Sequence, residues 1–414
     1  AGGARRRPGS AMTPTPRTAL AVALVAVLPL LVPVPIALVV FAVLVAAVVV
    51  DALYARQPPT VSRTAPGSLA RGVPAPFAVA ADTATVRLRQ PLPPDLELEP
   101  ANEADGGLDA KLVARRRGRH PLPRVAARRY GPLGLAGWTR AVGEEAEVVV
   151  YPDLPNARRL AAAVRTGRFR DEGLRRRGPL GLGTEFESVR DYVPDDDIRR
   201  VNWRATARLG RPMSNQYRLE RDRDVVCVVD CGRLMAAPFA DRTRLDAALD
   251  AAVAVAAVSE VLGDRCGVIA FARGILRALP PRRAGARDLV DAVYDLEPVG
   301  VDSDYELAFQ HIRGVKRAFV LVLTDLLEES AARPLVDALP VLARRHAVAV
   351  AGASDPDIDA LVRNEPESPS DVYRAAVALD VLAARARVAA QLRRTGADVV
   401  EGAPSTLAAA CVRA

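Results

Sequence analysis

Asp224-Val225-Val226-Cys227-Val228-Val229-Asp230 is an apolar stretch with a carboxylate at each end, and it decides the fold of the C-terminal half of the chain. Its apolar positions do not alternate with polar ones, which predicts a strand buried on both faces of a sheet. Strands of this kind occur in parallel sheets that are covered by helices on both sides. The stretch therefore predicts an α/β domain that begins at Asp224.

The same alternation of strand and helix continues along the chain. Further strands are predicted at 265–272, 318–324, 347–353 and 398–400, and helices at 245–262, 286–296, 305–314 and 371–395. Apolar strands separated by helices indicate a parallel, doubly wound sheet of the Rossmann type over residues 224–414.

The chain has 414 residues, which is too long for one ordinary domain. We predict a basic tail (1–17), a transmembrane hairpin (18–50), a β-rich domain (51–157), a basic connector with a signature block (158–223) and the α/β domain (224–414). The net charge of +8 is compatible with anionic lipid or nucleic acid. The four cysteines are far apart in sequence, which argues against a zinc site or a disulfide framework.

An uncharged, Ala/Val/Leu-rich run between Arg17 and Asp51 predicts a membrane segment, because about 20 apolar residues suffice to cross a bilayer. Three prolines interrupt the middle of this run: Pro29, Pro33 and Pro35. They predict two short helices, at 20–28 and 36–50, rather than one long one. Arginines flank both ends of the run, so the positive-inside rule places both ends in the cytoplasm. The alternative is a single kinked span with the body of the protein outside.

The residues after the membrane segment contain period-2 alternation broken by proline, as in Ala81–Arg89, with a later strand at Glu147–Pro152. This pattern predicts a small β-sandwich-like domain. Eight arginines follow between Arg158 and Arg177, but no aromatic ladder interleaves them to stack bases. We therefore interpret this stretch as a connector and expect no nucleic-acid partner.

A mixed block from Gly183 to Arg208 interlaces carboxylates, arginines and aromatic residues. Arginine side chains can donate two hydrogen bonds to a carboxylate, and the aromatic side chains can pack on a core. The block is therefore predicted to have a structural or partner-binding role. The residues selected for this role are Glu185, Phe186, Arg190, Tyr192, Asp196, Asp197, Arg199, Trp203, Arg204 and Arg208.

This block resembles the signature of the domain-of-unknown-function 58 family, with its Glu-Phe, its Arg-x-Tyr and its Arg-x-x-Asn-Trp followed by Ala-Arg. The resemblance extends back to the Arg128–Leu135 stretch and to the paired membrane segments. Asp195 departs from it, because the family usually has glycine there. The family is similar to partners of MoxR-type AAA+ ATPases in its genomic neighbourhood and its architecture. This resemblance implies such an ATPase as the partner.

Two predicted strands end in carboxylates, Asp230 and Asp325, at the edge of the sheet where ligands bind in such folds. The arrangement is similar to a von Willebrand factor A-like domain, whose metal-ion-dependent adhesion site would place Asp230, Ser303 and Asp325 around Mg²⁺. Gly232 and Leu234 stand where that resemblance requires serines, so the site is degenerate. Arg233 is expected to take the place of the cation and to pair with one of the two carboxylates.

The sequence favours a membrane-anchored, non-enzymatic binding or scaffold protein that works with the AAA+ ATPase in the assembly or maturation of protein complexes. No phosphate-binding loop of the GxxxxGK[ST] type is present, so ATP would be bound by the partner. The alternative is a Mg²⁺-dependent hydrolase or a metal-dependent adhesion protein that uses Asp230 and Asp325. We expect no catalytic residue and no cofactor other than a doubtful Mg²⁺.

Overall fold

The computed structural model describes residues 11–167, 185–193, 201–218, 223–239, 242–325 and 329–414. These residues form two compact units, of which the first ends at Tyr151 and the second begins at Pro152. Strands and helices occur in both units, so the chain is a mixed α/β protein.

Two apolar helices begin the first unit: α1 (Pro16–Val27) and α2 (Val34–Ala55), separated by a 3-10 turn at Leu28–Leu30. The prolines lie in the turn and at the start of α2, where a missing backbone N–H is tolerated. The predicted break is therefore confirmed, but α2 is longer than predicted. With 22 residues, α2 is long and apolar enough to cross a membrane, whereas α1 is shorter.

The rest of the first unit is built from β-strands. Its strands are β1 (Ala11–Pro14), β2 (Val61–Thr64), β3 (Ser68–Ala70), β4 (Ala75–Ala81), β5 (Val86–Arg89), β6 (Leu96–Glu99), β7 (Glu103–Asp105), β8 (Gly107–Ala114), β9 (Gly118–Leu122), β10 (Val125–Tyr130), β11 (Ala136–Val142) and β12 (Ala146–Tyr151). They form sheets in the orders β1-β11-β10-β5-β7, β2-β4-β8-β6 and β3-β12-β9. Along β8 exposed and buried residues alternate, and all three sheets contribute to one apolar core around Phe77, Leu88 and Leu112.

A turn between β10 and β11 holds both apolar helices. The carboxylate of Asp51, near the end of α2, is fully buried and accepts backbone N–H bonds from Leu133, Leu135 and Ala136 at 2.7, 2.7 and 2.8 Å. The hydroxyl of Thr15, at the start of α1, donates to the carbonyl of Gly134 at 2.7 Å. The beginning of α1 and the end of α2 therefore lie at the same turn, as in a helical hairpin.

The second unit contains the following helices and strands: α3 (Leu154–Arg165), β13 (Glu185–Asp191), α4 (Trp203–Leu209), β14 (Met213–Arg218), β15 (Asp224–Asp230), β16 (Pro238–Phe239), β17 (Arg242–Thr243), α5 (Arg244–Leu262), β18 (Arg265–Phe271), β19 (Ile275–Arg282), α6 (Ala286–Val293), α7 (Tyr305–Gln310), β20 (Ala318–Leu323), α8 (Glu329–Ala343), β21 (Ala347–Ala353), α9 (Pro356–Arg363), α10 (Pro369–Arg394), β22 (Asp398–Gly402) and α11 (Leu407–Arg413).

The central sheet has the strand order β19-β18-β15-β20-β21-β22. All strands of this sheet except β19 run parallel to one another. The predicted strand at Asp224–Asp230 is confirmed as β15, and every residue of it is buried. Apolar side chains of α7, α8 and α10 share one core with Val226 and Val228, whereas α5 contacts α3, α6 and α11. Helices therefore cover both faces of the sheet.

The edge strand β19 corrects the prediction of a wholly parallel sheet, because it runs antiparallel to β18. Pro280 and Pro281 conceal this strand in the sequence, since proline within a strand is confined to sheet edges and bulges. A side chain at Gly267 would place its Cβ 2.5 Å from the Leu279 carbonyl oxygen and 2.7 Å from the Pro281 nitrogen. Glycine at this position therefore permits the close approach of the edge strand.

Candidate functional site

The carboxylate of Asp230, at the end of β15, is 3% exposed and accepts hydrogen bonds at both oxygens. Its Oδ1 accepts from the Gly232 N–H at 2.7 Å and from the Ser303 hydroxyl. Its Oδ2 accepts from the hydroxyls of Tyr305 and Thr324, both at 2.7 Å. Four uncharged donors thus satisfy a buried carboxylate, which is the arrangement that a buried charge requires.

A buried ion pair lies beside this cluster. Arg244, the first residue of α5, donates from Nη1 to the Oδ1 of Asp325 at 3.0 Å, and both side chains are almost completely buried. Asp355 lies 3.9 Å from the same guanidinium. Thr324 precedes Asp325 and connects this pair to the cluster around Asp230. The structure therefore brings all three predicted ligands to the strand ends, but Asp325 has a guanidinium as its partner.

Arg233 is placed differently from our expectation. It is exposed, and its guanidinium pairs with Asp302 on the loop before α7. The arginine that is buried at the strand ends is Arg244. The residues next to Asp230 in the sequence could not indicate it, because Arg244 lies at the start of the following helix, α5. Within the described ranges, no group of three or more His, Cys, Asp or Glu side chains is arranged to hold a metal ion.

Two further residues of the cluster were not selected from the sequence. Tyr305 packs edge-on against Phe271, with ring centroids 5.3 Å apart, and its hydroxyl also lies 2.8 Å from that of Thr324. Burial, followed by the negative charge of Asp230, raises the pKa of this phenol well above its usual value. The two residues are Tyr305, directly after Asp304, and Thr324, directly before Asp325. These positions are the signals in the sequence that could have indicated them.

A shallow cavity of about 290 Å³ opens outside the Asp230 cluster. Its rim includes Arg233, Leu234 and Asp302, and its floor includes Ser303 and Tyr305. The rim is charged and exposed, whereas the carboxylate below it is already bonded. A molecule that approaches this edge of the sheet therefore meets the rim first.

Strand β13 of the signature block pairs antiparallel with β14, which follows the block, and α4 lies between the two strands in the sequence. Asn202 accepts a hydrogen bond from the Ala205 N–H at 3.0 Å and so caps α4. Arg190 is exposed and donates to the Asp191 carbonyl oxygen at 3.0 Å, and Tyr192 is half-buried. Asn202 thus has a local backbone role that the resemblance alone did not reveal.

Trp203 does not anchor the block as predicted, because 69% of this residue is exposed. Arg204 and Arg208 lie on the same short helix and are also exposed. α4 contains no buried residue, so neither the tryptophan nor the two arginines dock this helix on a core. Asp196, Asp197 and Arg199 lie outside the described residues, and Glu185 and Phe186 are described only in their main chain as part of β13.

These features define a class of mixed α/β proteins with an apolar N-terminal helix and a hydrogen-bonded polar cluster at the strand ends of the second unit. Residues 188–395, about half of the chain, match the model of the family described as protein of unknown function DUF58. The chain belongs to this family. The match includes the signature block from Ser188 onward, the strands of the central sheet except β22, and the whole of α10.

Related proteins occur in mycobacteria. The chain is 28% identical over 232 residues to an uncharacterized protein of Mycobacterium tuberculosis, and this alignment covers 51% of the chain and 72% of the relative. An uncharacterized protein of Mycobacterium bovis is similar to the same extent.

Proposed function

We propose that this protein is a membrane-anchored, non-enzymatic binding protein whose second unit has a von Willebrand factor A-like fold and engages a protein partner at the strand-end edge. The strand order, with one antiparallel edge strand next to β18, and the helices on both faces support this fold. The rim of Arg233, Leu234 and Asp302 would make the first contact. The resemblance to the family implies a MoxR-type AAA+ ATPase as the partner.

The observation that carries this proposal is the bonding of the two strand-end carboxylates. Both oxygens of Asp230 already accept hydrogen bonds, and Asp325 is paired with a buried arginine. Mg²⁺ would have to displace hydroxyl and backbone donors from Asp230 and a guanidinium from Asp325. Gly232 and Leu234 offer no side-chain oxygen in return. The donor set therefore does not fit a magnesium ion, and direct contact between proteins is favoured.

The same bonding disfavours the hydrolase alternative. A general base needs a lone pair that reaches a substrate or a water molecule. The oxygens of Asp230 instead accept from four groups of the protein itself, and Asp325 is held by Arg244. We assign no catalytic residue.

We place the protein in the cell membrane with its folded units on the cytoplasmic side. The two ends of the helical hairpin meet at one turn, which supports a return of the chain to the side from which it entered. Arginines near both ends of the hairpin, such as Arg17 and Arg56, support the cytoplasmic side by the positive-inside rule.

The test is retention of a MoxR-type AAA+ ATPase from the source organism by the full chain reconstituted in lipid nanodiscs. We expect Arg233→Glu to weaken retention at least tenfold. Arg277→Glu is the matched control, because Arg277 on the edge strand is also half-exposed and pairs with an aspartate, Asp295. If the unmodified chain does not retain the ATPase, or if both variants behave alike, the proposal is wrong.

A magnesium titration tests the metal-independent part of the proposal. We expect no saturable heat when Mg²⁺ is added to the purified chain, and no effect of a chelator on ATPase retention. Stoichiometric binding of Mg²⁺ that Asp325→Ala abolishes would contradict this expectation and restore the metal-dependent alternative.

A further inference from the structure

A second and larger cavity lies between α7 and α8 and has a volume of about 870 Å³. It adjoins the shallow cavity outside Asp230, because Asp302, Ser303 and Tyr305 line both. From there it extends to His346, next to the starts of strands β20 and β21. We call this cavity the α7–α8 groove. It runs from the strand-end edge of the sheet to the opposite edge.

The middle of the α7–α8 groove is mainly apolar, with the amide of Gln310 as a polar group in its lining. Phe309 and Leu342 are buried and form part of its floor, and Ala338 is half-buried. Val341 also lines the groove, although 60% of it is exposed. Exposed aliphatic surface within a concave site is typical of surfaces that bind a ligand or a partner.

The two ends of the groove carry opposite charges. At the strand-end edge and in the adjoining turn of α8, the lining carboxylates outnumber the guanidinium of Arg273; they are Asp302, Asp304, Glu306 and Asp337. Asp302 is paired with Arg233, whereas Asp304 caps α7 by accepting the Leu307 N–H at 3.0 Å.

At the opposite end, Arg313 and Arg345 follow the last turns of α7 and α8. His346 adds no charge there at neutral pH, because burial and the neighbouring Arg345 lower its pKa below the usual value. The groove therefore has an acidic end, an apolar middle and a basic end.

The spacing of the lining residues on α8 gives the length of the groove. Pro334 lies near its acidic end, Arg345 lies just beyond α8 at its basic end, and the helix from Pro334 to Ala343 is about 14 Å long at a rise of about 1.5 Å per residue. An extended chain covers this distance with about five residues, at about 3.3 Å per residue.

We propose that the α7–α8 groove binds a short extended segment of a partner protein that carries a basic side chain at one end, aliphatic side chains in the middle and a carboxylate at the other end. The inference deepens the binding function proposed above and rests on it. The segment's basic side chain pairs with Asp304 and Glu306, and its carboxylate pairs with Arg313 and Arg345.

The two charged ends distinguish this occupant from others of similar size. A phospholipid carries its charges in one headgroup and would leave the other end of the groove without a partner. A nucleic acid carries negative charge along its whole length and would be repelled by the acidic end. A polypeptide is the chemistry that places opposite charges at the two ends of a groove of this length with aliphatic groups between them.

The experiment measures fluorescence anisotropy of labelled seven-residue peptides with the full chain in detergent micelles. The peptides share an Ala/Leu core and carry Lys and Glu at opposite ends, in both chain directions, or Lys at both ends, or Glu at both ends. We expect one of the Lys/Glu peptides to bind at least tenfold more tightly than the peptides with two identical ends. Equal affinities, or no binding of either Lys/Glu peptide, would overturn the proposal.

Two sets of variants locate the binding. Val341→Asp should weaken the binding of the preferred peptide at least tenfold. Val377→Asp should leave this binding unchanged, because Val377 on α10 is similarly exposed at 63% but lies outside the groove. The double variant Arg313→Glu and Arg345→Glu should reverse the preference toward the peptide with Lys at both ends, a gain that misfolding cannot produce. An unchanged preference in the double variant contradicts the assignment of the basic end.

The outcome is separable from that of the proposed function. If the full chain retains the ATPase in a manner that depends on Arg233 while no peptide binds the groove, the groove assignment fails and the binding function stands. If the chain retains no ATPase but the Lys/Glu peptide binds as expected, the groove stands and the partner assignment fails.

Discussion

Tyr305 illustrates how a single hydroxyl stabilises the strand-end cluster. Its hydroxyl donates to a buried carboxylate, and hydrogen bonds to charged groups are worth roughly 1.5–3 kcal/mol. Tyr305→Phe should therefore lower the free energy of unfolding of the second unit by roughly 2 kcal/mol, measured by denaturant titration. Tyr373→Phe is the control, because Tyr373 is exposed on α10. Equal effects of the two variants would show that the Tyr305 hydroxyl adds little.

The same phenol predicts a pH dependence. Burial and Asp230 raise its pKa in the folded protein above the usual value of about 10, so the folded state holds the proton more tightly than the unfolded state. Its contribution to stability is complete below about pH 10 and is lost as the pH rises above that value. The unmodified chain should thus lose more stability between about pH 9 and pH 11 than Tyr305→Phe. Parallel curves in thermal denaturation would contradict this.

Asp51 is a second buried carboxylate with a structural task. Asp51→Ala leaves three backbone N–H groups without their acceptor, at a cost of about 1–3 kcal/mol for each group that stays dry. We expect a loss of about 3 kcal/mol or more in the first unit, seen as a lower melting temperature in nanodiscs. Asp82→Ala is the control, because Asp82 accepts one exposed N–H, that of Thr60. A loss no larger than in the control would contradict the role of Asp51.

At the scale of the element, the edge strand β19 depends on a glycine in its neighbour. Gly267→Ala would bring a Cβ within 2.5 Å of the Leu279 carbonyl oxygen, so β19 must shift. We expect a loss of about 2 kcal/mol in denaturant titration. Gly274→Ala is the control, because no atom lies within 4 Å of the added Cβ at this position. Similar stabilities of the two variants would mean that the edge strand adapts freely.

The central strands could be predicted because their apolar runs are long and uninterrupted, and the helices α5, α6, α7 and α10 were predicted with them. β19 and α8 could not, since Pro280 and Pro281 interrupt the first and Pro334 and Pro340 lie inside the second. Among the site residues, Asp230 and Ser303 were predicted and do hydrogen-bond. Arg244 could not be predicted as the partner of Asp325, because no local rule connects residues 81 positions apart.

At the scale of the whole molecule, the shared turn predicts the membrane topology. Single cysteines introduced at Met12, in β1, and at Gln57, after α2, should react with a membrane-impermeant maleimide from the same side, which we expect to be the cytoplasmic one. Both positions are exposed, and the native cysteines are buried. Labelling in intact cells is compared with labelling in inverted vesicles. Labelling of the two positions from opposite sides would favour a single kinked span.

The turn between β10 and β11 has a mechanical consequence. Because Thr15 and Asp51 bind it from two helices at once, hydrogen bonds join both helices to β10 and β11 at one point. The proposed membrane anchoring therefore predicts that a change in bilayer thickness which tilts α2 also rotates the attached sheet. On the proposal that the two helices are embedded in a membrane, we therefore expect the lipid composition of the bilayer to affect the angle between the first unit and the membrane.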